Sequence, residues 1–286
     1  MNAIIRACRA CGSTDLTSVL DLGELVFTGH FPEPGEHPPV GRLELMLCRG
    51  CTLVQLRDVF DSTQLYGPHY GYRSGLNRTT VQHLADLAGK LSTASSVLDI
   101  GANDGTLLAN FHPSKRLVGI DPLADKFKEY WRPDLIRIPT LFGDGVPLWK
   151  GHQHGYDAVF SVAMFYDLMD PVSFAKQIAA ILAPGGRWLL EVSYLPLMLA
   201  ASAFDTVCHE HTEYYSLTAL KYIMDQAGLT INSCELTPTN GGSIVLIAGR
   251  GGAMCLNAQS LLADERNADW ELGFDRLRQR ITHTGE

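Results

Sequence analysis

The chain contains no apolar run long enough to span a bilayer. Its N-terminus, Met1 to Arg6, lacks the long apolar core and cleavage site of a signal peptide. A soluble, cytoplasmic protein with no membrane partner is the expectation. Basic residues are scarce: 23 Lys and Arg stand against 31 Asp and Glu, a formal charge of −8. A nucleic-acid surface would show a basic stripe, so no nucleic-acid partner is expected. Cysteines number seven, and four of them fall in two Cys-x-x-Cys pairs. In a reducing compartment that pattern speaks for metal and against disulfides. What the chain has in quantity is apolar content, 46% over 286 residues. That suffices for one large domain, or a domain plus a small module.

The stretch Val97-Leu-Asp-Ile-Gly-Ala-Asn-Asp-Gly-Thr106 reads as a buried parallel strand, a glycine turn and the start of a helix. Strand, glycine turn and helix form the unit that binds a nucleotide at the carboxyl end of a parallel sheet. A second strand ends in Asp121, twenty positions beyond Gly101, where an acid can accept both ribose hydroxyls of an adenosine. The turn is not Gly-x-Gly-x-x-Gly. Asp99 and Asp104 lie where a pyrophosphate would need bare backbone amides, which argues against NAD, FAD and ATP. S-adenosylmethionine carries an ammonium and a sulfonium and suits the acids. Candidate cofactor contacts are Asp99, Gly101, Asn103, Asp104, Gly105, Asp121 and Pro122, with Tyr70 and Arg73 from the preceding connector and Ser161 from a later strand.

Cys8-Arg-Ala-Cys11 and Cys48-Arg-Gly-Cys51 each make a knuckle. Together they offer four thiolates in tetrahedral geometry, a closed structural zinc site with no open position for catalysis. A redox role for either pair is the alternative. The segment between them, rich in Pro and Gly from Phe31 to Gly41, needs the metal to hold it together. Removing zinc should unfold residues up to about Phe60, and the module is expected to act as a lid.

The connector Leu65 to Ser74 carries Tyr66, Tyr70, Tyr72 and Arg73. Its tyrosines either cover the core edge or enter a site. Beyond it the pattern alternates. Helix 76–91, strand 97–100, helix 105–111, strand 117–120, helix 123–130, strands 135–138 and 157–162, helix 172–182 and strand 187–193 are expected in order. After a short helical insertion come helix 217–227, strands 229–235 and 243–248 as a hairpin across Asn240-Gly-Gly242, and a charged helix 257–281. The fold class is therefore α/β, a Rossmann-like sheet that is mostly parallel with a terminal antiparallel hairpin. The expected divisions are a zinc module at 1–62, a connector and first helix at 63–94, the main domain at 95–250 and a helical extension at 251–286.

Asp205-Thr-Val-Cys-His-Glu-His-Thr-Glu-Tyr-Tyr-Ser216 places His209, Glu210 and His211 in a row. Histidine is the side chain best poised to move a proton near neutral pH, and at most one or two of the three can face a substrate. A polar loop with satisfied hydrogen bonds is the alternative.

Taken with the two cysteine pairs, the tyrosine-rich connector, the Val97–Thr106 turn and Asn240-Gly-Gly-Ser-Ile244, this segment resembles the zinc-module sugar C-methyltransferase family from Cys8 to about Arg250. The resemblance implies methylation of the carbon beside the ketone of a nucleotide-linked 4-keto-deoxysugar. It assigns proton abstraction to His211 and assistance to an aromatic hydroxyl, Tyr72 or Tyr70. His209 or Tyr72 would stabilise an enolate. The sequence departs from the family pattern at Cys208, where a Tyr is usual, and at Tyr166 and Asp167, where a histidine is frequent. Family members continue into a further α/β domain. Ending at Glu286, this sequence is expected to be a short form with another acceptor or a truncated chain. O- or N-methylation of another small or phosphorylated acceptor, and a non-catalytic scaffold that binds the cofactor, remain open.

Overall fold

A computed structural model describes residues 3–28, 35, 37–61, 65, 70–143 and 155–284. Tyr66 and residues 31–34 and 36 of the Pro/Gly-rich segment lie outside the described residues. The first strands are β1 (Ala3–Ile4), β2 (Leu16–Val26), β3 (Val40–Cys48), β4 (Val54–Leu56) and β5 (Asp58–Val59). Helix α1 (Arg78–Lys90) opens at Asn77, whose side chain accepts from the Thr79 amide. There follow β6 (Ser96–Ile100), β7 (Arg116–Ile120), β8 (Ile136–Ile138), β9 (Tyr156–Val162), α2 (Pro171–Ile181), β10 (Leu182–Ser193) and α3 (Leu195–Ala201). The chain then forms β11 (Glu213–Tyr214), α4 (Leu217–Gln226), β12 (Thr230–Thr237), β13 (Ser243–Gly249), α5 (Leu256–Arg266) and α6 (Trp270–Thr284).

Seven strands form one sheet in the order β12-β13-β10-β9-β6-β7-β8. Those from β8 to β10 run parallel, and β13 runs antiparallel to both its neighbours. This is the Rossmann-like sheet with an antiparallel end that the alternating pattern predicts. Apolar pairs such as Val97–Leu98 and Val159–Phe160 are fully buried because helices cover both faces. One face packs on α1 through Leu84, Leu87, Leu189 and Phe160; the other packs on α2 and α4 through Trp188, Leu190, Ile178 and Leu220. From β6 the chain moves one way to β7 and β8 and returns to β9 and β10 on the other side. That reversal opens a crevice at the carboxyl ends of the strands.

Three helix expectations fail. Residues 105–111 and 123–130 are turns with single 3-10 segments, Leu108–Asn110 and Lys128–Tyr130. In the first, Asp104 accepts from the Thr106 amide and hydroxyl and holds a turn. Pro113 follows within one helical length, too soon for a costly nucleus to propagate. In the second, Trp131 is pulled inward to donate Nε1–H to the Asn103 carbonyl at 3.1 Å, and Pro133 follows. The charged C-terminal helix is two helices, broken at 267–269, where Asp269 accepts from the Leu272 amide. The break lets α5 lie on α4 and β12 while α6 reaches the N-terminal sheet.

That sheet has the order β11-β4-β3-β2. Its edge strand β11 comes from the His209–His211 segment. Its core combines Leu43, Leu45 and Val54 with Met198 of α3, Tyr214 of β11, and Phe274 and Leu277 of α6. The N-terminal strands thus bury their apolar faces only with help from residues far along the chain. Among the described residues no helix is long and apolar enough to cross a membrane.

Candidate active site

At the end of β6 the chain turns sharply. Gly101 and Ala102 donate to the Ile120 carbonyl at 2.9 and 3.2 Å. Gly101 has φ +78°, and a Cβ there would stand 2.9 Å from Met164 Cγ, so only glycine fits. Asn103, φ +50°, is held in the left-handed region by its hydrogen bonds. Asp121 Oδ2 accepts the Asn103 amide at 2.9 Å, and Oδ1 accepts the Leu123 amide at 2.7 Å. The Asn103 side chain accepts from the Ser74 amide and donates to the Tyr72 carbonyl. Asp104 Oδ2 accepts from Arg73 at 3.1 Å and from the Gly75 amide at 2.9 Å. Asn103 and Asp104 therefore lash the connector over the turn. Arg73 is committed to Asp104 and lies 3.7 Å above the Tyr130 ring.

A cavity of about 650 Å³ runs along the carboxyl ends of β6, β7, β9 and β10. Of the expected site residues, Tyr70, Tyr72, Asp99, Gly101, Asn103, Asp121 and Pro122 line it. Arg73, Asp104 and Gly105 stand behind the turn. Ser161 is fully buried, and its hydroxyl accepts from Trp188 Nε1 at 3.2 Å in the core. Among the described residues no Lys or Arg lines the cavity, whereas Asp99, Asp121, Asp167 and Glu191 do. Burial, then the nearby Asp121 and Asp104, push the Asp99 carboxyl up to about 8. Burial also raises Asp121, against the two amides that hold it. Such an acid-rich pocket suits a cationic ligand and disfavours a phosphate.

The three consecutive ionisable residues part company. His209 is fully buried, with Nε2 3.0 Å from the Gly41 carbonyl and its ring between Phe27 and Phe60, at centroid distances of 4.7 and 5.0 Å. It belongs to the core of the N-terminal sheet, away from the cavity. Glu210 accepts from the Thr28 hydroxyl at 2.7 Å. His211 packs on the Tyr166 ring at 4.2 Å, and its Nδ1 lies 2.9 Å from the Thr206 carbonyl. A carbonyl only accepts, so Nδ1 carries the hydrogen and Nε2 keeps its lone pair. Burial lowers the proton affinity of His211, which favours the neutral ring. Thr212 Oγ1 donates to the Tyr166 and Leu168 carbonyls, fastening this loop to the loop after β9 that flanks the cavity.

Sequence reasoning missed His83 and Glu191, which line the cavity's far end as an ion pair. A signal existed for Glu191: it interrupts an apolar strand, as Asp99 does in β6.

In the N-terminal knuckles, the sulfurs of Cys8, Cys11, Cys48 and Cys51 all lie within 4.8 Å of one another, with Cys8–Cys51 at 3.6 Å and Cys11–Cys48 at 3.5 Å. Tetrahedral zinc with bonds of about 2.3 Å would set thiolates about 3.8 Å apart, so the four sulfurs fit that ion.

A family model for a methyltransferase domain matches residues 72–233. The chain belongs to the S-adenosylmethionine-dependent methyltransferase family. A zinc-binding domain model matches residues 8–66 of this methyltransferase. Zinc and S-adenosylmethionine are its cofactors, and the four clustered cysteine sulfurs suit the zinc. The C-methyltransferase NovU of Streptomyces niveus is 30% identical over 279 residues, covering 92% of this chain and 66% of NovU. A tRNA U34 carboxymethyltransferase of Campylobacter curvus is 28% identical over 110 residues, 36% of either chain. This methyltransferase thus spans less than two thirds of the length of these relatives. Among solved structures, the CcbJ methyltransferase of Streptomyces caelestis matches with a TM-score of 0.49 and 13% identity over 63% of this chain and 99% of its own; a likeness that distant carries no functional information.

Proposed function

We propose that this methyltransferase methylates carbon next to the ketone of a nucleotide-linked 4-keto-deoxysugar. The observation that carries the reading is the His211 ring: its Nδ1–H is given to the Thr206 carbonyl, which leaves Nε2 as the nitrogen with a lone pair, beside the loop that flanks the cavity. The relative NovU, whose name describes a C-methyltransferase, supports transfer to carbon. S-adenosylmethionine supplies an electrophilic methyl group on a sulfonium. Carbon becomes a nucleophile only after losing a proton, so His211 Nε2 takes the one beside the ketone as the C–H bond breaks. The electron pair moves onto the ketone oxygen, where the Tyr72 or Tyr70 hydroxyl donates to the enolate. The buried position of His209 removes it from that role. The enolate carbon would then take the methyl group in line as the carbon–sulfur bond breaks, the bonding pair going to sulfur to leave neutral S-adenosylhomocysteine while the ketone re-forms and the proton on His211 passes to solvent.

The same reading divides the chain as its sequence suggests. Residues 1–62 hold zinc and buttress the His211 loop through β4 and β11. The described residues of 63–94 close over the donor, 95–250 carry the chemistry, and in 251–286 α5 packs on α4 and β12 while α6 braces the N-terminal sheet.

Proton exchange tests the base. Wild-type protein incubated in D₂O with a nucleoside-diphosphate-linked 4-keto-deoxyhexose and no donor should place deuterium beside the ketone. The His211→Gln variant should do so about 10²–10⁴-fold more slowly while still binding S-adenosylhomocysteine. Methyl transfer without any deuterium uptake would reject the enolate route in favour of an oxygen or nitrogen acceptor.

A further inference from the structure

The far end of the cavity holds an ion pair, Glu191 buried and His83 half-buried, that the steps above leave unused. His83 stands on α1 and Glu191 near the carboxyl end of β10. His83 Nε2 lies 2.7 and 2.9 Å from the two Glu191 oxygens. Thr237 Oγ1 donates to Glu191 Oε1 at 3.2 Å, and Thr239 Oγ1 lies 3.5 Å from His83 Nε2. Glu191 is 2% exposed. Taking such a pair out of water is unfavourable, and apolar side chains of similar volume could close the wall as well. The same cavity is walled by Leu84, Val162 and Met164 where closure is all that is needed. A pair kept at this end calls for a ligand with polar atoms.

Its location separates it from the donor turn. Glu191 is in register with Val162 of β9, and β9 lies next to β6. Neighbouring strands are about 4.8 Å apart, so Glu191 stands about 10 Å across the sheet from the end of β6. Thr239 and Asn240, from the β12–β13 turn, line the same end.

The chemistry of the pair narrows the ligand. Nε2–H is given to Glu191, and among the described residues Nδ1 has no hydrogen-bond partner. The hydrogen bond to Glu191 raises the proton affinity of the ring; Asp86 adds to this, while burial and Lys90 oppose it. The ring therefore favours N–H on both nitrogens. A charge already matched by Glu191, beside a hydroxyl and an amide, suits a neutral ring bearing hydroxyl or carbonyl oxygens. A diphosphate would call for unpaired cations, and among the described residues none lines the cavity.

We infer that His83, oriented by Glu191, anchors the acceptor: its Nδ1–H donates to an oxygen of a hydroxylated acceptor ring, and Thr239 and Asn240 complete the subsite. The acceptor named for the test rests on the keto-sugar reading above, whereas the subsite itself rests on the geometry.

Full-length protein with ¹⁵N-labelled histidine, saturated with S-adenosylhomocysteine, is titrated with two probes. One is a nucleoside-diphosphate-linked 4-keto-deoxyhexose; the other is methyl 6-deoxy-α-D-glucopyranoside, a neutral hexoside without ketone or phosphate. Signals of His83, assigned by their loss in His83→Gln, should shift with both probes. In His83→Gln and Glu191→Gln the acceptor Kd should rise about tenfold or more, with the affinity for S-adenosylhomocysteine kept within about twofold. His83 signals that ignore both probes, or Glu191→Gln with an unchanged acceptor Kd, overturn the inference. So does loss of S-adenosylhomocysteine binding in both variants, which marks a purely structural pair. A wild-type protein that shifts its His83 signals with the hexoside yet neither exchanges protons nor methylates the keto-sugar would fell the proposed function and leave the subsite standing.

Discussion

The two ends of the cavity are built in opposite ways. The end proposed for the donor rests on the stretch Asp99 to Leu123, whose turn is closed by bonds within it: Gly101 and Ala102 to Ile120, Asn103 and Leu123 to Asp121. The end proposed for the acceptor draws His83 from α1, Glu191 from β10, Thr239 and Asn240 from the last hairpin and Tyr70 and Tyr72 from the connector. The His211 loop beside it is braced by a sheet that needs residues from both ends of the chain. A site closed by local bonds survives distant damage, whereas one assembled from many elements fails when any support is lost.

Metal removal should break the comparison most visibly. Structural zinc in small modules contributes about 10–16 kcal/mol to folding. Stripping it, or replacing Cys48 by Ser, should therefore unfold the N-terminal strands and release β11 from β4. Methyl transfer should fall to background while S-adenosylhomocysteine still binds within about threefold. Limited proteolysis with a zinc assay and calorimetric binding reads both arms. Equal loss at both ends would show that the donor end is not self-supporting.

Damage placed inside the donor turn should do the reverse. Asp121→Asn is nearly isosteric but removes the charged acceptor proposed for the ribose hydroxyls and leaves the Asn103 or Leu123 amide facing an NH2 group. Hydrogen bonds to a charged group contribute about 1.5–3 kcal/mol, so donor affinity should drop roughly 10- to 100-fold by isothermal titration. Proton exchange into the keto-sugar without donor should be unaffected.

The smallest effect concerns Asp99. Its folded value of about 8 lies above the ordinary 3.8, so in that window the folded protein holds a proton that the unfolded chain does not. Stability from this group is present at low pH and is lost as pH rises through about 8. A cation bound beside the carboxyl favours its ionised form. Donor binding at pH 7 should then release a proton, and affinity should rise several-fold between pH 6 and pH 8.5. Calorimetry in buffers of different ionisation enthalpy counts the proton; a count of zero contradicts the placement of Asp99 beside positive charge.

The turn after β6 was readable because glycines and acids at strand ends mark it. The cysteine knuckles were readable from their own spacing. The helices expected at 105–111 and 123–130 were not, since the side-chain bonds of Asp104 and the inward pull of Trp131 override periodicity. Residue type and spacing alone did not separate His209 from His211, two positions apart with Glu210 between them. Phe27 and Phe60, about 180 and 150 positions earlier, enclose one of them, while Tyr166 and Thr206 frame the other. Glu191 looked like one more acid in a strand until α1 brought His83 against it.

The amino-acid order alone determined the glycine turn between β6 and β7, the alternation that builds the sheet and the four sulfurs for zinc. Those features rest on residue types and their spacing within short stretches of chain. Tertiary structure decided which histidine keeps a free lone pair, which is sealed in a core, and that His83 and Glu191 meet. Burial and hydrogen-bond partners set those properties, and both are supplied by parts of the chain that only folding brings near.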